Sequence, residues 1–202
     1  MGSVDYKYFA FISYNHRDQR YAKQVHRLLE RIRIPSDAVG GLPDGLKDKK
    51  GVRPVFRDQD ELSSSSSLPD SLQQNLQASA YLIVLCSPEA AHSRWVNEEI
   101  RYFIELGREK NILCLILRGG ATFYSDASPS GAFPPALRRE DNSLPLAADI
   151  RAGKTTLSRE VMRLAAGILK VGFDVVYQRE RRRRCVSAWN IDPSGGVTGV
   201  QF

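Results

Sequence analysis

The most informative pair of side chains in the sequence is an indole and a carboxylate four residues apart, Trp95 and Glu99. Residues at this spacing are neighbours on one side of an α-helix. The same segment carries an apolar stripe, formed by Val96, Ile100 and Phe103, and Ser93 is placed to cap it. The pattern predicts a helix that holds an aromatic ring beside a carboxylate. On pattern alone, the favoured interpretation is that Trp95 is a core aromatic and Glu99 a solvent-exposed helix residue.

The elements around this pair predict an α/β fold. Short apolar runs indicate strands at residues 8–13, 52–56, 81–86, 112–117 and, more weakly, 144–148, where Pro145 would confine the strand to a sheet edge. Most runs are continuous, which is typical of parallel strands covered by helices on both faces. Helical periods fall between them, at residues 21–32, 68–76, 96–104 and 157–168. Loops after parallel strands share one edge, where such folds bind ligands, and Trp95 and Glu99 follow the third strand.

Length and composition indicate a globular domain with a tail. The chain has 202 residues, of which 42% are hydrophobic and 26% charged, so we exclude collagen, coiled-coil and wholly disordered proteins. There is no run of about 18 apolar residues and no apolar signal-peptide core in residues 1–8. The net charge is +6, and five arginines and one glutamate at residues 179–184 contribute +4 of it. The basic character therefore belongs to the tail, and a nucleic-acid partner is not expected.

That arginine run allows three interpretations: a solvated linker, a segment beside an anionic membrane, or a contact for nucleic acid.

The cysteines and histidines do not indicate a metal site. Cys86 and Cys114 lie inside apolar runs, Cys185 lies in the tail, and there are only three histidines and no CxxC motif. We expect no metal and a reducing, cytoplasmic location. Residues 153–156, Gly-Lys-Thr-Thr, lack the glycine that a phosphate-binding loop needs at position 148. We therefore expect Thr155 or Thr156 to cap the last helix.

Four segments in order resemble a Toll/interleukin-1 receptor (TIR) domain of bacterial type. They are Phe-Ile-Ser-Tyr at 11–14, Val-Phe-Arg-Asp at 55–58, Leu-Cys-Ser-Pro at 85–88 and Trp-Val-Asn-Glu-Glu at 95–99. The resemblance covers residues 6–171. It implies a flavodoxin-like three-layer α/β sandwich with a five-stranded parallel sheet in the order 2-1-3-4-5. We accordingly divide the chain into a TIR domain, residues 1–173, and a basic arginine-rich linker or tail, residues 174–202.

The resemblance implies one of two functions. Some TIR domains are scaffolds that only pair with other TIR domains, and others cleave NAD⁺ at the nicotinamide–ribose bond with the glutamate of a W-x-x-x-E motif. That glutamate corresponds to Glu99, because the neighbouring Glu98 is not four residues from Trp95. Loss of neutral nicotinamide leaves an oxocarbenium-like ribose, which a carboxylate stabilises. NAD⁺ would be the substrate, with no cofactor or metal, and the products would be nicotinamide and ADP-ribose or a cyclic isomer of ADP-ribose.

Further residues at the strand ends are expected to contact NAD⁺. Besides Trp95, the substrate-binding candidates are Ser13, Tyr14, Phe56, Arg57 and Asp58. An arginine here could meet the pyrophosphate. The alternatives are that Arg57 and Asp58 form only a local ion pair and that Ser13 is only a hydrogen-bonding residue at a strand end.

The segment at residues 57–69 corresponds to the family loop that joins neighbouring TIR domains and gates the pocket. It carries three acidic residues and five consecutive serines. By resemblance we expect self-association through this loop, a role in antiphage defence or virulence, and a C-terminal sensor or membrane region outside this chain. A non-catalytic scaffold and a nucleic-acid-directed TIR domain are the alternatives.

Overall fold

The computed structural model describes residues 5–57, 68–141, 143–151, 153 and 155–189, with side chains to residue 183. The strands are β1 (Tyr8–Ser13), β2 (Phe56–Arg57), β3 (Ser79–Cys86), β4 (Ile112–Ile116), β5 (Gly120–Phe123), β6 (Gly131–Phe133) and β7 (Ala147–Asp149). The helices are α1 (Gln19–Arg31), α2 (Asp70–Gln77), α3 (Pro88–His92), α4 (Arg94–Glu105), α5 (Leu157–Leu169) and α6 (Phe173–Trp189).

Five parallel strands form the central sheet in the order β2-β1-β3-β4-β7. This is the predicted order, with β7 in the fifth position because β5 and β6 pair with each other in a separate two-stranded sheet. The predicted flavodoxin-like α/β fold is thus confirmed. The fifth strand begins two residues after Pro145, so the proline is outside the ladder.

Two apolar layers cover the sheet. Side chains of α1 and α5 pack on one face with Phe9 and Ile12, and those of α2 and α4 pack on the other with Phe11 and Val84. All eight residues of β3 are buried, which explains why this run is continuously apolar rather than alternating.

Strand β2 begins at Phe56, four residues later than the predicted run at residues 52–56. Pro54 has no N–H to donate to a ladder, although its carbonyl accepts a hydrogen bond from the amide of Phe9 at 2.9 Å. The amide of Val55 is bonded to the Glu30 side chain at 3.0 Å. Among the described residues of this segment, Phe56 and Arg57 pair with β1.

The chain after Phe173 continues as a helix where the sequence predicted a linker or tail. Val176 and Glu180 of α6 are buried, with 2% and 8% of their surface exposed, and α6 lies against α5. Arg183 Nη1 donates to the carbonyl of Arg31 at the end of α1, at 3.2 Å. The sequence pattern did not predict this helix, because consecutive arginines interrupt its few apolar positions. The division of the chain at residue 173 stays a prediction, and residues 190–202 lie outside the described part.

Helix capping follows the sequence. The Thr156 hydroxyl accepts a hydrogen bond from the amide of Arg159 and begins α5. Across the residues that the structure describes, we find no helix long and apolar enough to cross a membrane.

Candidate active site at the carboxyl edge of the sheet

Helix α4 is fixed at its first turn. The Ser93 hydroxyl accepts from the amide of Val96 at 3.5 Å, as predicted for an N-cap. Asn97 is buried and donates to the carbonyls of Ala91 and Ser93 at 3.0 and 2.9 Å. Its side-chain oxygen accepts from the amide of Ala136 at 3.0 Å. Because Asn97 ties the helix to two other segments, the direction in which α4 presents its side chains is well defined.

This helix holds Glu99 against the end of β1. Glu99 is only 6% exposed and Ser13 only 1%, and the Ser13 hydroxyl donates a hydrogen bond to Oε2 of Glu99. Glu99 is therefore not the solvent-exposed helix residue of the pattern-based interpretation. A buried carboxylate is costly unless hydrogen bonds satisfy it, and the hydroxyl of Ser13 supplies one such bond.

Glu98 and Trp95 have different surroundings from Glu99. Glu98 forms an ion pair with Arg94 one turn earlier, at 2.6 Å between Nε and Oε1, and lies on the outer side of α4. Trp95 is half-buried against the apolar layer of α2 and α4, and the Arg94 guanidinium lies over its ring at 5.6 Å. Trp95 thus combines a core contact with a partly open aromatic face.

The ends of β1 and β2 bring two predicted residues together, Tyr14 and Arg57. The register pairs Ile12 with Arg57, and Arg57 Nη1 donates to the hydroxyl of Tyr14 at 3.2 Å. Phe56 instead stacks on Phe11, with ring centroids 5.1 Å apart, so its ring belongs to the apolar layer. The predicted residue Asp58 lies outside the described residues.

A polar network that the sequence analysis missed lies at the same edge. Asp18 is fully buried. It accepts a hydrogen bond from Ser87 Oγ at 2.6 Å and forms an ion pair with Arg118. Arg118 also contacts Glu89 at 2.8 Å. The network joins the segments that follow β1, β3 and β4. Ser87 and Arg118 come directly after predicted strands, which is the signal that could have found them.

The network holds Glu89 in its charged form. Burial alone would raise the pKa of Glu89, but a backbone hydrogen bond and the positive charges of Arg118 and Arg17 outweigh it, so the pKa is lowered. The pKa of Arg118 is raised: burial opposes this, and the hydrogen bonds and charges of Asp18 and Glu89 prevail. This edge of the sheet therefore carries fixed charges of both signs.

The cysteines of the sheet contribute packing rather than reactivity. Cys86 and Cys114 are buried free thiols on adjacent strands. Burial, with Cys114 as a neighbour, raises the pKa of the Cys86 thiol well above its usual value. Within the described ranges, no three His, Cys, Asp or Glu side chains are grouped so that they could hold a metal ion.

Comparisons with known proteins agree with the resemblance in the sequence. A family described as "Thoeris protein ThsB, TIR-like domain" matches residues 11–121. The chain is 34% identical over 155 residues to an Actinoplanes protein named NAD(+) hydrolase ApTIR, covering 72% of this chain and 19% of that protein. The chain thus spans about a fifth of the length of this relative. A structure of TIR domains in the activated Roq1 resistosome, recognizing the effector XopQ, aligns over 53% of this chain and 55% of that chain, at 18% identity and a TM-score of 0.35.

Proposed function

Since the chain belongs to the TIR-like domain family of Thoeris protein ThsB, we propose that it hydrolyses NAD⁺ at the bond between nicotinamide and ribose. The observation that carries the proposal is the buried carboxylate of Glu99 with its hydrogen bond from Ser13 at the carboxyl edge of the sheet. Homology to a protein named as an NAD⁺ hydrolase supports it. The products are nicotinamide and ADP-ribose, or a cyclic isomer if a group of the substrate replaces water.

The chemistry suits a buried carboxylate. Nicotinamide leaves as a neutral molecule, so positive charge develops on the ribose in the transition state. A carboxylate that is already oriented stabilises this charge without reorganising solvent. In this scheme Glu99 is the catalytic residue, and Ser13 is a positioning residue that fixes one of its oxygens.

The remaining site residues bind the substrate in this scheme. The open face of Trp95 stacks on a ring of the dinucleotide and excludes water. The Arg57 guanidinium, held by Tyr14, meets the pyrophosphate. Phe56 forms an apolar wall from its place beside Phe11, and Asp58 remains a predicted contact.

Biological context follows from the family. We place the reaction in the cytoplasm, in bacterial defence or signalling, and expect activity to require self-association through the loop at residues 57–69. The buried free thiols of the sheet are compatible with a reducing compartment.

Nicotinamide release from NAD⁺ by the purified chain at high concentration tests the proposal, with Glu99→Gln and Glu98→Gln as a matched pair. Both variants remove one carboxylate from the same helix, but only Glu99 is buried against Ser13. Loss of a preorganised charge stabiliser costs roughly 100- to 1,000-fold in turnover, so we expect that loss for Glu99→Gln and little change for Glu98→Gln.

Three other outcomes are informative. Equal activity of the two variants would show that the residue assignment is wrong. Loss with Glu98→Gln alone would transfer the role to that residue. No release by the unmodified chain, even when it is concentrated or clustered, would favour a non-catalytic scaffold that recruits other TIR domains.

A further inference from the structure

A basic groove runs along the surface between α1, the segment at residues 50–53, α5 and α6. It consists of two adjoining cavities, of about 1140 and 460 Å³, which share Glu30, Arg31 and Arg53 as lining residues. One end is formed by Arg179 and Arg182 of α6, and the other reaches Arg57 at the end of β2. The two cavities therefore adjoin at the three shared residues, and their linings together extend from α6 to the end of β2.

The groove concentrates the net positive charge of the protein. Ten Arg and Lys side chains line it against two carboxylates, a net charge of +8, whereas the whole chain has a net charge of +6. The rest of the molecule is thus slightly acidic. The basic residues come from separate parts of the sequence, and the packing of α6 against α5, with Arg183 bonded to the end of α1, adds three of them to the other seven.

The two carboxylates of the groove are already engaged. Glu180 accepts from Arg183 at 2.7 Å, and Glu30 accepts from the amide of Val55 at 3.0 Å. Among the described side chains, no ion pair compensates Arg31, Arg53, Arg179 or Arg182, and all four are exposed. Their mutual repulsion is relieved when an anion enters.

We propose that this groove binds the phosphate backbone of a nucleic acid. A small phosphate ligand needs only a few cations, whereas ten cations spread over two adjoining cavities match a polymer with regularly repeated charges. Eight of the ten are arginines, whose planar guanidinium groups pair with phosphate oxygens in a bidentate manner. A flat bilayer does not enter a concave groove. The sequence pattern did not predict a nucleic-acid partner, and the proposal differs from that expectation because α6 packs against α5 and places its arginines beside the end of α1.

The lining also predicts how the nucleic acid is recognised. No Phe, Tyr or Trp lines the described part of the groove, so it offers no stacking platform for unpaired bases. Contacts go to phosphates, and binding is independent of sequence. A duplex, which carries a higher charge density, binds at least as tightly as a single strand.

Fluorescence anisotropy of a labelled 20-base-pair DNA duplex with the 202-residue chain tests the proposal. We expect dissociation constants in the range of roughly 1 to 100 µM near physiological salt and a steep loss of affinity as salt rises. The triple variant Arg53→Gln, Arg179→Gln and Arg182→Gln removes three exposed cations, so the slope of log K against log salt falls by up to about 3. We expect the dissociation constant at low salt to rise by about tenfold or more.

The matched control removes three exposed cations outside the groove, in Arg101→Gln, Lys110→Gln and Lys170→Gln. It has the same net charge as the groove variant and should bind DNA almost like the unmodified chain. Equal weakening by both triple variants would overturn the proposal, because it would reduce binding to a net-charge effect. Absence of DNA binding at low salt would overturn it as well.

Two competing polyanions separate the partner classes. Poly-L-glutamate that binds as tightly as the duplex would overturn the phosphate assignment in favour of an acidic protein. Groove-dependent binding to phosphatidylserine vesicles without DNA binding would overturn it in favour of a membrane surface. None of these measurements involves NAD⁺, so they test nucleic-acid binding by the groove independently of the proposed hydrolysis.

Discussion

Replacing Arg118 by methionine removes the cation that ties Asp18 and Glu89 together at the carboxyl edge of the sheet. Asp18 is fully buried, and Arg118 and Glu89 are 39% and 30% exposed. The variant leaves the Asp18 carboxylate with the hydroxyl of Ser87 and without its counter-charge. Methionine preserves much of the volume of the arginine stem, so the effect reports the lost charge and hydrogen bonds rather than a cavity.

The size of the loss follows from this burial. Breaking a fully buried ion pair by removing one partner costs about 3 to 5 kcal/mol. Solvent screens the half-exposed guanidinium and Ser87 remains in place, so we expect about 2 to 3 kcal/mol in the free energy of unfolding. For a chain of this size, that corresponds to a fall of about 4 to 12 °C in Tm.

Urea and thermal unfolding measure this loss against a matched surface pair. Arg139 contacts Glu109 at 3.0 Å, and both side chains are about half exposed, so Arg139→Met should cost less than about 1 kcal/mol. A double-mutant cycle of Arg118→Met with Asp18→Asn isolates the pair, and we expect a coupling energy of more than about 1 kcal/mol.

Lowering the pH should reduce the difference in the free energy of unfolding between the unmodified chain and Arg118→Met. The pKa of Glu89 is lower in the folded state than its usual 4.5, so its contribution is present above that value and is lost as pH falls below it. Because Arg118 supplies part of that contribution, the penalty of Arg118→Met should shrink below about pH 4.5. An Arg118→Met protein no less stable than Arg139→Met, or a coupling energy near zero, would refute the reasoning.

Two more predictions use neighbouring or matched residues as controls. Ser13→Ala removes a hydrogen bond to the Glu99 carboxylate, so NAD⁺ turnover should fall about tenfold. The control Ser79→Ala changes a buried serine that donates to a backbone carbonyl, so it should lower stability and leave turnover unchanged. Equal turnover in both variants would contradict the positioning role of Ser13. Val176 is 2% exposed and Val175 is 40% exposed. Val176→Ala should therefore lower the free energy of unfolding, measured in urea, by about 1 to 2 kcal/mol, and Val175→Ala should lower it by less than about 0.5 kcal/mol. Equal losses would mean that α6 does not pack as described.

Local patterns in the sequence were sufficient for the elements that carry the site. The apolar run of β1 has the predicted bounds of residues 8–13, and the stripe on α4 and its Ser93 cap are where the periodicity places them. The sheet order follows from the family resemblance and is confirmed. These features depend on residues close together in the chain, or on a topology that the motif order identifies.

Features that depend on contacts between distant residues could not be predicted from local sequence patterns. Asp18 meets Ser87 and Arg118 across 69 and 100 residues, and no local pattern marks such a contact. The basic groove is a similar case, because counting charge along the chain assigns it to a tail. The hydrogen bond between Ser13 and Glu99 spans 86 residues, and the resemblance predicted both residues for the site without predicting their contact.

The three hydrogen bonds of Asn97 have a consequence for how this site is switched on and off. They anchor the helix two residues before Glu99, so the proposed hydrolysis needs no signal that reorients this carboxylate. In that case, control of the proposed reaction acts on whether NAD⁺ can enter a site that is already assembled. A trigger of this kind acts as a gate, and its effect should be sought first in the apparent affinity for NAD⁺ rather than in the intrinsic rate of bond cleavage.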